Sequence, residues 1–280
     1  MKEISRDTII DAVKALCKEA NYILPSDVKK KLQEAMDKED SLLGKQTLEV
    51  LNENADIAYA SLSPICQDTG MACVFVEIGQ DVHVEGSLSE AIHEGVRQGY
   101  QDGYLRKSVV DDPMFDRINT LDNTPAIINY DIVEGDRLKI IVAPKGFGSE
   151  NMSQLKMLKP SDGVEGVKEF VLKVINDAGP NACPPMVIGV GIGGSFDKVT
   201  LLAKKAMLRE IGTHHSDIRY QALEAELLEK INQTGIGPAG YGGKTTALSL
   251  NVETFPTHIA GMPVAVSICC HVARHKEIIL

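Results

Sequence analysis

The stretch Ser63–Gly70, "SPICQDTG", places a thiol, an amide, a carboxylate and a hydroxyl in four consecutive positions directly before a glycine. Turns favour polar residues and glycine, so an ordinary Asx-type turn would account for this composition. The same groups could also bind a metal through the thiol and transfer a proton through the carboxylate. The stretch is therefore either a structural turn or part of an active site.

Three of the six cysteines fall where predicted helices or strands end. Cys66, Cys183 and Cys270 stand beside proline, glycine or polar residues in "SPICQDTG", "GPNACPPM" and "SICCHVARH". No C-x-x-C pair occurs, so the chain has no local zinc or ferredoxin signature. Spacing alone leaves two interpretations open, three distant metal ligands or free cysteines of the core. Cys17 lies on the apolar face of a predicted helix and is expected in the core.

Two glycine-rich stretches suggest phosphate binding. Residues 189–194 fit G-x-G-x-x-G between an apolar strand and a helix, with Glu210 near the position of a ribose-binding acid. The flanking βαβ units are absent, so a close backbone approach at a strand-to-helix turn is the favoured interpretation. The stretch "GIGPAGYGGKTT" fails the phosphate-loop pattern G-x-x-x-x-G-K-[ST], because Pro238 stands where the first glycine is required. Lys244 and its neighbouring glycines therefore either contact an anion or simply form a loop.

The elements that must position these residues follow from the hydrophobic periodicity. Three helices are predicted within the first 60 residues, and short strands and helices alternate after the "SPICQDTG" stretch. Residues 125–143 are predicted to form a hairpin, and Gly179 is predicted to end a helix. "PPMVIGVGI" is predicted to be a buried strand, followed by two helices and by final strands near 246–253 and 263–270.

The predicted fold class is mixed α/β, with a helical N-terminal segment packed on a body of mixed sheet and helices. We expect a single catalytic domain over residues 1–280, divided into a helical part at 1–60 and an α/β body at 61–280. No internal repeat or linker-like tract interrupts this arrangement.

The charge of the chain argues against several classes of partner. A net charge of −10 gives no basic face for nucleic acid or for an anionic membrane. No apolar run approaches the ~18 residues of a membrane span, and the N-terminus is typical of an amphipathic helix rather than a signal peptide. We therefore expect a cytoplasmic protein with reduced thiols, in which an anionic substrate would be bound by a local Arg or Lys.

Five long stretches resemble the class I fumarate hydratases, and most closely the separate α subunit of the two-chain type, a group that includes L(+)-tartrate dehydratase. The resemblance covers nearly the whole chain and is weakest over the first 40 residues. The stretches are "PICQDTGMACVFVEIGQ", "LRKSVVDDPMFDR", "PKGFGSENMSQLKML", "NACPPMVIGVGIGGSFDK" and "GYGGKTTALSLNVETFPTHIAGMPVAVSICCHVARHKE".

The resemblance implies an oxygen-sensitive [4Fe–4S] cluster held by only three cysteines. The matching positions are Cys66, Cys183 and Cys270. Cys269 is an alternative third ligand, and Cys270 is preferred because it directly precedes "HVARH", as the ligand of the family does. Three thiolates leave one iron without a protein ligand, so that this iron can act as a Lewis acid on the substrate.

The resemblance also implies a set of substrate-facing residues. Gln67 and Arg106 match residues that bind substrate carboxylates, for which the planar fork of arginine is well suited. Asp68 and His258 match catalytic residues, and the sequence leaves open which of the two transfers the proton. Gly146 and Gly148 in "KGFGSEN" match backbone that approaches the substrate closely.

The function implied by the resemblance is that of the α subunit of an iron–sulfur hydro-lyase. The expected reaction is the interconversion of fumarate and (S)-malate, a step of the tricarboxylic acid cycle. The expected partners are a small dicarboxylate substrate and a β subunit, in an α2β2 heterotetramer. L(+)-tartrate dehydratase is the nearest alternative, and the glycine run leaves a nucleotide-binding oxidoreductase as a more distant one.

Overall fold

The structure is a computed structural model that describes residues 2–280. It divides into two compact units. Unit 1 comprises residues 1–24, 55–147 and 274–280, and unit 2 comprises residues 25–54 and 148–273. Both units combine helices with mixed sheet, so the predicted mixed α/β class is confirmed. Within residues 2–280, no helix is long and apolar enough to cross a membrane.

The helices and strands are numbered here in chain order. The helices are α1 (Arg6–Tyr22), α2 (Ser26–Lys38), α3 (Leu42–Ser61), α4 (Leu88–Asp102), α5 (Phe147–Glu150), α6 (Gly163–Ala178), α7 (Phe196–Ala206) and α8 (Ile218–Asn232). The strands are β1 (Lys2–Ile4), β2 (Met71–Gly79), β3 (Val82–Val84), β4 (Ile127–Val133), β5 (Leu138–Lys145), β6 (Gln154–Leu158), β7 (Met186–Gly193), β8 (Ala247–Phe255), β9 (Met262–Cys269) and β10 (Lys276–Ile279).

The main sheet of unit 1 has the strand order β10-β5-β2-β4. The hairpin predicted over residues 125–143 is wrong, because β4 and β5 do not pair with each other. Instead β2 lies between them and pairs parallel with β4 and antiparallel with β5. The strand β10 was not predicted, and it pairs antiparallel with the outer edge of β5.

The core of unit 1 forms between this sheet and α1 with α4. The apolar face predicted for the first helix is confirmed, since Ile9, Val13 and Cys17 are fully buried in α1. Burying an aliphatic side chain of this kind stabilises the fold by about 1.5–3 kcal/mol. The core also contains the fully buried Tyr100 near the end of α4, and this side chain reaches the Cys66–Gly70 turn.

The sheet of unit 2 has the order β6-β9-β7-β8 and carries helices on both faces. Residues of α6 and α8 cover one face, and α7 covers the other. The strand β7 is buried along its whole length, as predicted. A Cβ added to Gly189 or Gly191 would lie 2.0 or 2.2 Å from a backbone oxygen of α7. The glycine run is therefore accounted for by the close packing of α7 on β7, which confirms the predicted close backbone approach.

Candidate functional site

The turn Cys66–Gly70 lies between α3 and β2. Both the backbone and the carboxylate of Asp68 form hydrogen bonds in this turn. The Asp68 N–H donates to the Cys66 Sγ over 3.4 Å. Its carboxylate accepts the N–H of Gly70 at 3.1 Å and the N–H of Phe147 at 2.9 Å. The Asx-type turn suggested by the composition is thus present, and the same carboxylate also fastens the loop at residues 146–147 to the turn.

The three carbonyl groups of Asp68–Gly70 are each bound by a buried side chain. Arg274 donates to the first of these carbonyls, and the Tyr100 hydroxyl donates to the second and third at 2.9 and 3.1 Å. Asn123 Nδ2 also donates to the third carbonyl at 3.1 Å. Burial raises the pKa of Tyr100 well above its usual range, so its hydroxyl keeps the proton that it donates.

Arg274 is only 6% exposed as a whole residue, and its guanidinium is incompletely hydrogen-bonded. Its Nε and Nη1 atoms are buried without a hydrogen-bond partner among residues 2–280. An unsatisfied buried donor costs about 1–3 kcal/mol, and more when the group is charged. The bond to the Asp68 carbonyl is thus the hydrogen bond by which Arg274 contacts the turn.

Two glycines allow the backbone to pass close to this turn. Gly70 has a φ of +73°, and a Cβ on it would lie 2.7 Å from the backbone of Lys145. A Cβ on Gly146 would lie 3.0 Å from the Asp68 Oδ2. Gly148 is not constrained in this way, since its nearest contact would be the Asn181 oxygen at 3.9 Å. The close approach predicted for Gly146 is thus an approach to the Asp68 carboxylate.

The structure brings Arg106 to the same turn through its backbone. The Arg106 N–H donates to the Thr69 Oγ1 at 2.9 Å, and this hydroxyl donates in turn to the Arg106 carbonyl at 3.3 Å. The Arg106 and Gln67 side chains are both exposed beside the half-buried Cys66. The turn itself therefore carries one thiol, one amide and one carboxylate, and the Arg106 backbone is fastened to it.

Sequence reasoning missed four residues that hold this turn, namely Thr69, Tyr100, Asn123 and Arg274. Arg274 lies within the "HVARH" stretch, so the length of that resemblance was a usable signal. Tyr100 and Asn123 lie about 30 and 55 residues from the turn in sequence, and no local pattern connects them to it.

Two more of the predicted cysteine ligands lie together in unit 2. Cys183 precedes β7 in a left-handed conformation with a φ of +52°, and Cys270 directly follows β9. The backbone N–H and the ring Nδ1 of His271 bond to the Cys183 carbonyl at 3.3 and 3.1 Å. The start of β7 and the end of β9 therefore place these two cysteines at the same end of the sheet.

The six cysteines separate by their exposure into two groups of three. Cys17, Cys73 and Cys269 are buried, and burial raises the pKa of the Cys17 thiol to about 12. The three predicted ligands are accessible, Cys183 being exposed and the other two half-buried. Thiolates are the protein ligands of iron–sulfur clusters, so the chemistry and the exposure of these three cysteines are compatible with the ligand role that the resemblance implies. Within residues 2–280, the structure forms no group of three or more His, Cys, Asp or Glu that could hold a metal ion.

His258 lies in the exposed connection between β8 and β9. Its Nδ1 accepts the N–H of Ala260 at 3.2 Å, so in the neutral ring the proton lies on Nε2. This connection follows Phe255, which pairs with Gly193 at the end of β7 opposite to Cys183. At ~3.3 Å per residue the strand separates the two ends by about 23 Å. Within unit 2, the structure therefore does not bring His258 together with the two cysteines.

The loop of residues 241–246 binds a carboxylate of the chain itself. Glu39 is 5% exposed, and its Oε2 accepts the N–H groups of Lys244 at 2.8 Å and Thr245 at 3.3 Å. The Lys244 ammonium forms an ion pair with Asp40. The anion contact left open by the sequence is thus made within unit 2.

The chain is similar to known proteins along nearly its whole length. A family model described as "Fumarate hydratase (Fumerase)" matches residues 10–279. The chain is 46% identical over 271 residues to "Putative L(+)-tartrate dehydratase subunit alpha" of Methanocaldococcus jannaschii, covering 95% of each chain. It is 34% identical over 261 residues to the L(+)-tartrate dehydratase subunit alpha of Escherichia coli strain K12, covering 92% of this chain and 86% of that one. The similarity therefore includes residues of both units.

Proposed function

We propose that this chain, which belongs to the fumarate hydratase family, is the α subunit of an iron–sulfur hydro-lyase that interconverts fumarate and (S)-malate. The observation that carries the proposal is the Cys66–Gly70 turn. In this turn the accessible thiol of Cys66 and the carboxylate of Asp68, two positions later, are held close together by hydrogen bonds. Metal binding and proton chemistry can share a site of this kind.

Cys66, Cys183 and Cys270 would hold the [4Fe–4S] cluster. When bound by three protein thiolates, such a cluster supplies an iron with an open coordination position that acts as a Lewis acid. The remaining cysteines, Cys17, Cys73 and Cys269, are buried and serve the packing of their units.

The other residues bind and orient a dicarboxylate. The exposed Arg106 guanidinium offers a bidentate fork to one carboxylate, and the Gln67 amide donates to a carboxylate oxygen. Gly146 lets the backbone pass close to the carboxylate of Asp68, and we propose that Gly148 exposes its backbone to the substrate. Asp68 holds the turn in its reactive shape and takes part in proton transfer. The role expected for His258 rests on the resemblance alone, and since its ring lies at the opposite end of β7 from Cys183 and Cys270, we assign the proposed proton transfer to Asp68.

Replacing Asp68 by asparagine should lower kcat by about 10²–10³-fold while the chain remains folded. The amide keeps one acceptor oxygen but places an NH₂ group against a backbone N–H that the carboxylate now accepts. Steady-state kinetics measured together with the thermal midpoint would check this expectation.

Asp217→Asn is the matched control, because Asp217 also accepts a backbone N–H, at the start of α8 in unit 2. This control should keep kcat within about twofold. Equal kcat values for Asp68→Asn and the unmodified enzyme would remove Asp68 from the chemistry.

We further propose that the chain works with a β subunit in an α2β2 assembly. The name "subunit alpha" carried by the relatives supports a second chain. The α chain purified alone should have little hydro-lyase activity and should gain it on anaerobic co-expression with the β chain. High activity of residues 1–280 alone would contradict this part of the proposal.

L(+)-tartrate is the second candidate substrate, favoured by the names of the relatives. It differs from malate by one further hydroxyl group, so the same α-chain residues could bind either acid. The co-expressed enzyme should therefore be assayed with (S)-malate and L(+)-tartrate in parallel. A kcat/KM at least about tenfold higher for L(+)-tartrate would replace fumarate hydratase by tartrate dehydratase as the assigned activity.

A further inference from the structure

The hydrogen bonds around Asp68 hold its carbonyl and its carboxylate in place. Its carbonyl is bound by Arg274, and its two carboxylate oxygens are bound by the N–H groups of Gly70 and Phe147. With these three groups fixed, the remaining backbone group of Asp68 is the N–H that donates to the Cys66 Sγ.

The next two residues of the turn are fixed in a similar way. The Tyr100 hydroxyl binds the carbonyls of Thr69 and Gly70, and Asn123 binds the Gly70 carbonyl a second time. All three carbonyls of residues 68–70 therefore have buried partners. A carbonyl oxygen facing a negatively charged thiolate or iron–sulfur group would be unfavourable, whereas an N–H facing its sulfur is favourable.

We propose that Arg274 and Tyr100 are positioning residues, which hold residues 68–70 in place beside Cys66 and so keep the Asp68 N–H within hydrogen-bond distance of the Cys66 sulfur. This inference rests on the proposed function, because it assigns the purpose of the arrangement to the retention of iron by Cys66. The Nε and Nη1 atoms of Arg274 have no hydrogen-bond partner among residues 2–280, so the bond to the Asp68 carbonyl is the contact that this guanidinium makes with the turn.

A buried residue next to a metal ligand can support only the fold, or it can also position the ligand. Replacing a residue that only supports the fold lowers the thermal midpoint of the protein, and any loss of activity follows from that lower stability. Replacing a positioning residue changes the rate at which iron is released even where the fold is intact. The reason is that hydrogen bonds to a metal ligand alter how strongly that ligand binds the metal.

The test uses the α chain co-expressed with its β subunit and compares Tyr100→Phe with Tyr22→Phe. The Tyr22 hydroxyl also donates to a backbone carbonyl in unit 1, that of Gly103 at 2.8 Å, but it does not touch the turn. Both variants lose one phenol hydroxyl. The measurements are the rate of iron release to a chelator under anaerobic conditions, the thermal midpoint without iron, and kcat and KM.

Tyr100→Phe should release iron about tenfold faster than the unmodified enzyme and lose kcat to a similar degree, whereas Tyr22→Phe should not. Arg274→Met should release iron at least as fast as Tyr100→Phe, and Arg274→Lys should restore part of the difference because it keeps a charged donor. If Arg274→Met does not fold, the comparison of the tyrosine variants still decides the inference.

Iron release and kcat that are unchanged in Tyr100→Phe, or that change equally in Tyr22→Phe, would overturn the inference while leaving the proposed function in place. Failure of the unmodified enzyme to bind iron and sulfide at all would overturn both. The two failures are therefore distinguishable in one series of measurements.

Discussion

Serine at position 66, 183 or 270, introduced one at a time, should abolish the hydro-lyase activity and most of the iron content of the enzyme. A hydroxyl is a poor ligand for iron in a cluster, where soft thiolates are required. Changes to residues that only contact a metal ligand already cost 10–100-fold, so loss of a ligand should cost more than about a hundredfold. Iron analysis and the visible absorption of the anaerobically reconstituted enzyme measure this directly.

The buried cysteines provide the controls for this experiment. Cys73→Ala and Cys269→Ala should bind iron as the unmodified enzyme does, because both thiols are enclosed in their units. Cys269→Ala also tests the alternative third ligand. Iron loss in Cys269→Ala with full retention in Cys270→Ser would transfer the ligand role to Cys269. Retention of the visible absorption in Cys66→Ser would contradict the cluster itself.

The replacement of Glu39 by alanine should lower the free energy of unfolding by about 3 kcal/mol or more. The carboxylate accepts three backbone N–H groups, those of Ser41, Lys244 and Thr245. Each donor left without a partner costs about 1 kcal/mol at the low end of the usual range. The corresponding fall in the thermal midpoint is about 6–12 °C for a protein of this size. Urea unfolding followed by circular dichroism measures the change.

The neighbouring residue offers a control for the same loop. The Asp40 carboxylate pairs with the Lys244 ammonium, and both side chains are largely exposed. Asp40→Ala should therefore cost less than about 1 kcal/mol, as exposed ion pairs usually do. An equal loss of stability in Glu39→Ala and Asp40→Ala would show that surface charge, rather than the buried carboxylate, holds the loop.

Local patterns predicted the helices and strands that lie around the site. The apolar face of α1, the buried strand β7 and the end of α6 at Gly179 all follow from periodicity and from the conformational freedom of glycine. The pairing of the strands did not follow from such patterns. The connection at residues 134–137 is as short as a hairpin loop, yet β2 separates β4 from β5. Which strand fills that position depends on packing across the whole unit.

The side chains that hold the Cys66–Gly70 turn and the loop of residues 241–246 could not be found from local patterns for the same reason. Glu39 falls between two helices and reads as an ordinary polar residue, although its partners lie about 205 residues further along the chain. Tyr100 reads as one apolar residue on the buried face of α4, and only the folded unit shows that its hydroxyl reaches the turn. The three cysteine ligands could be predicted from the sequence because the resemblance to the family implies them. That these three thiols are accessible while the other three are buried could be seen only in the structure.

The discontinuity of unit 1 has a consequence for the synthesis of the protein. Residues 274–280 belong to this unit, although in the sequence they are separated from its residues 55–147 by residues 148–273 of unit 2. Arg274 follows Asp68 by about 206 residues, so on a ribosome adding roughly 5–20 residues per second it emerges some 10–40 s later. Until then the nascent chain lacks both β10 and the guanidinium that binds the turn. Native closure of the Cys66 turn therefore waits for the translation of Arg274, about 206 residues after Asp68.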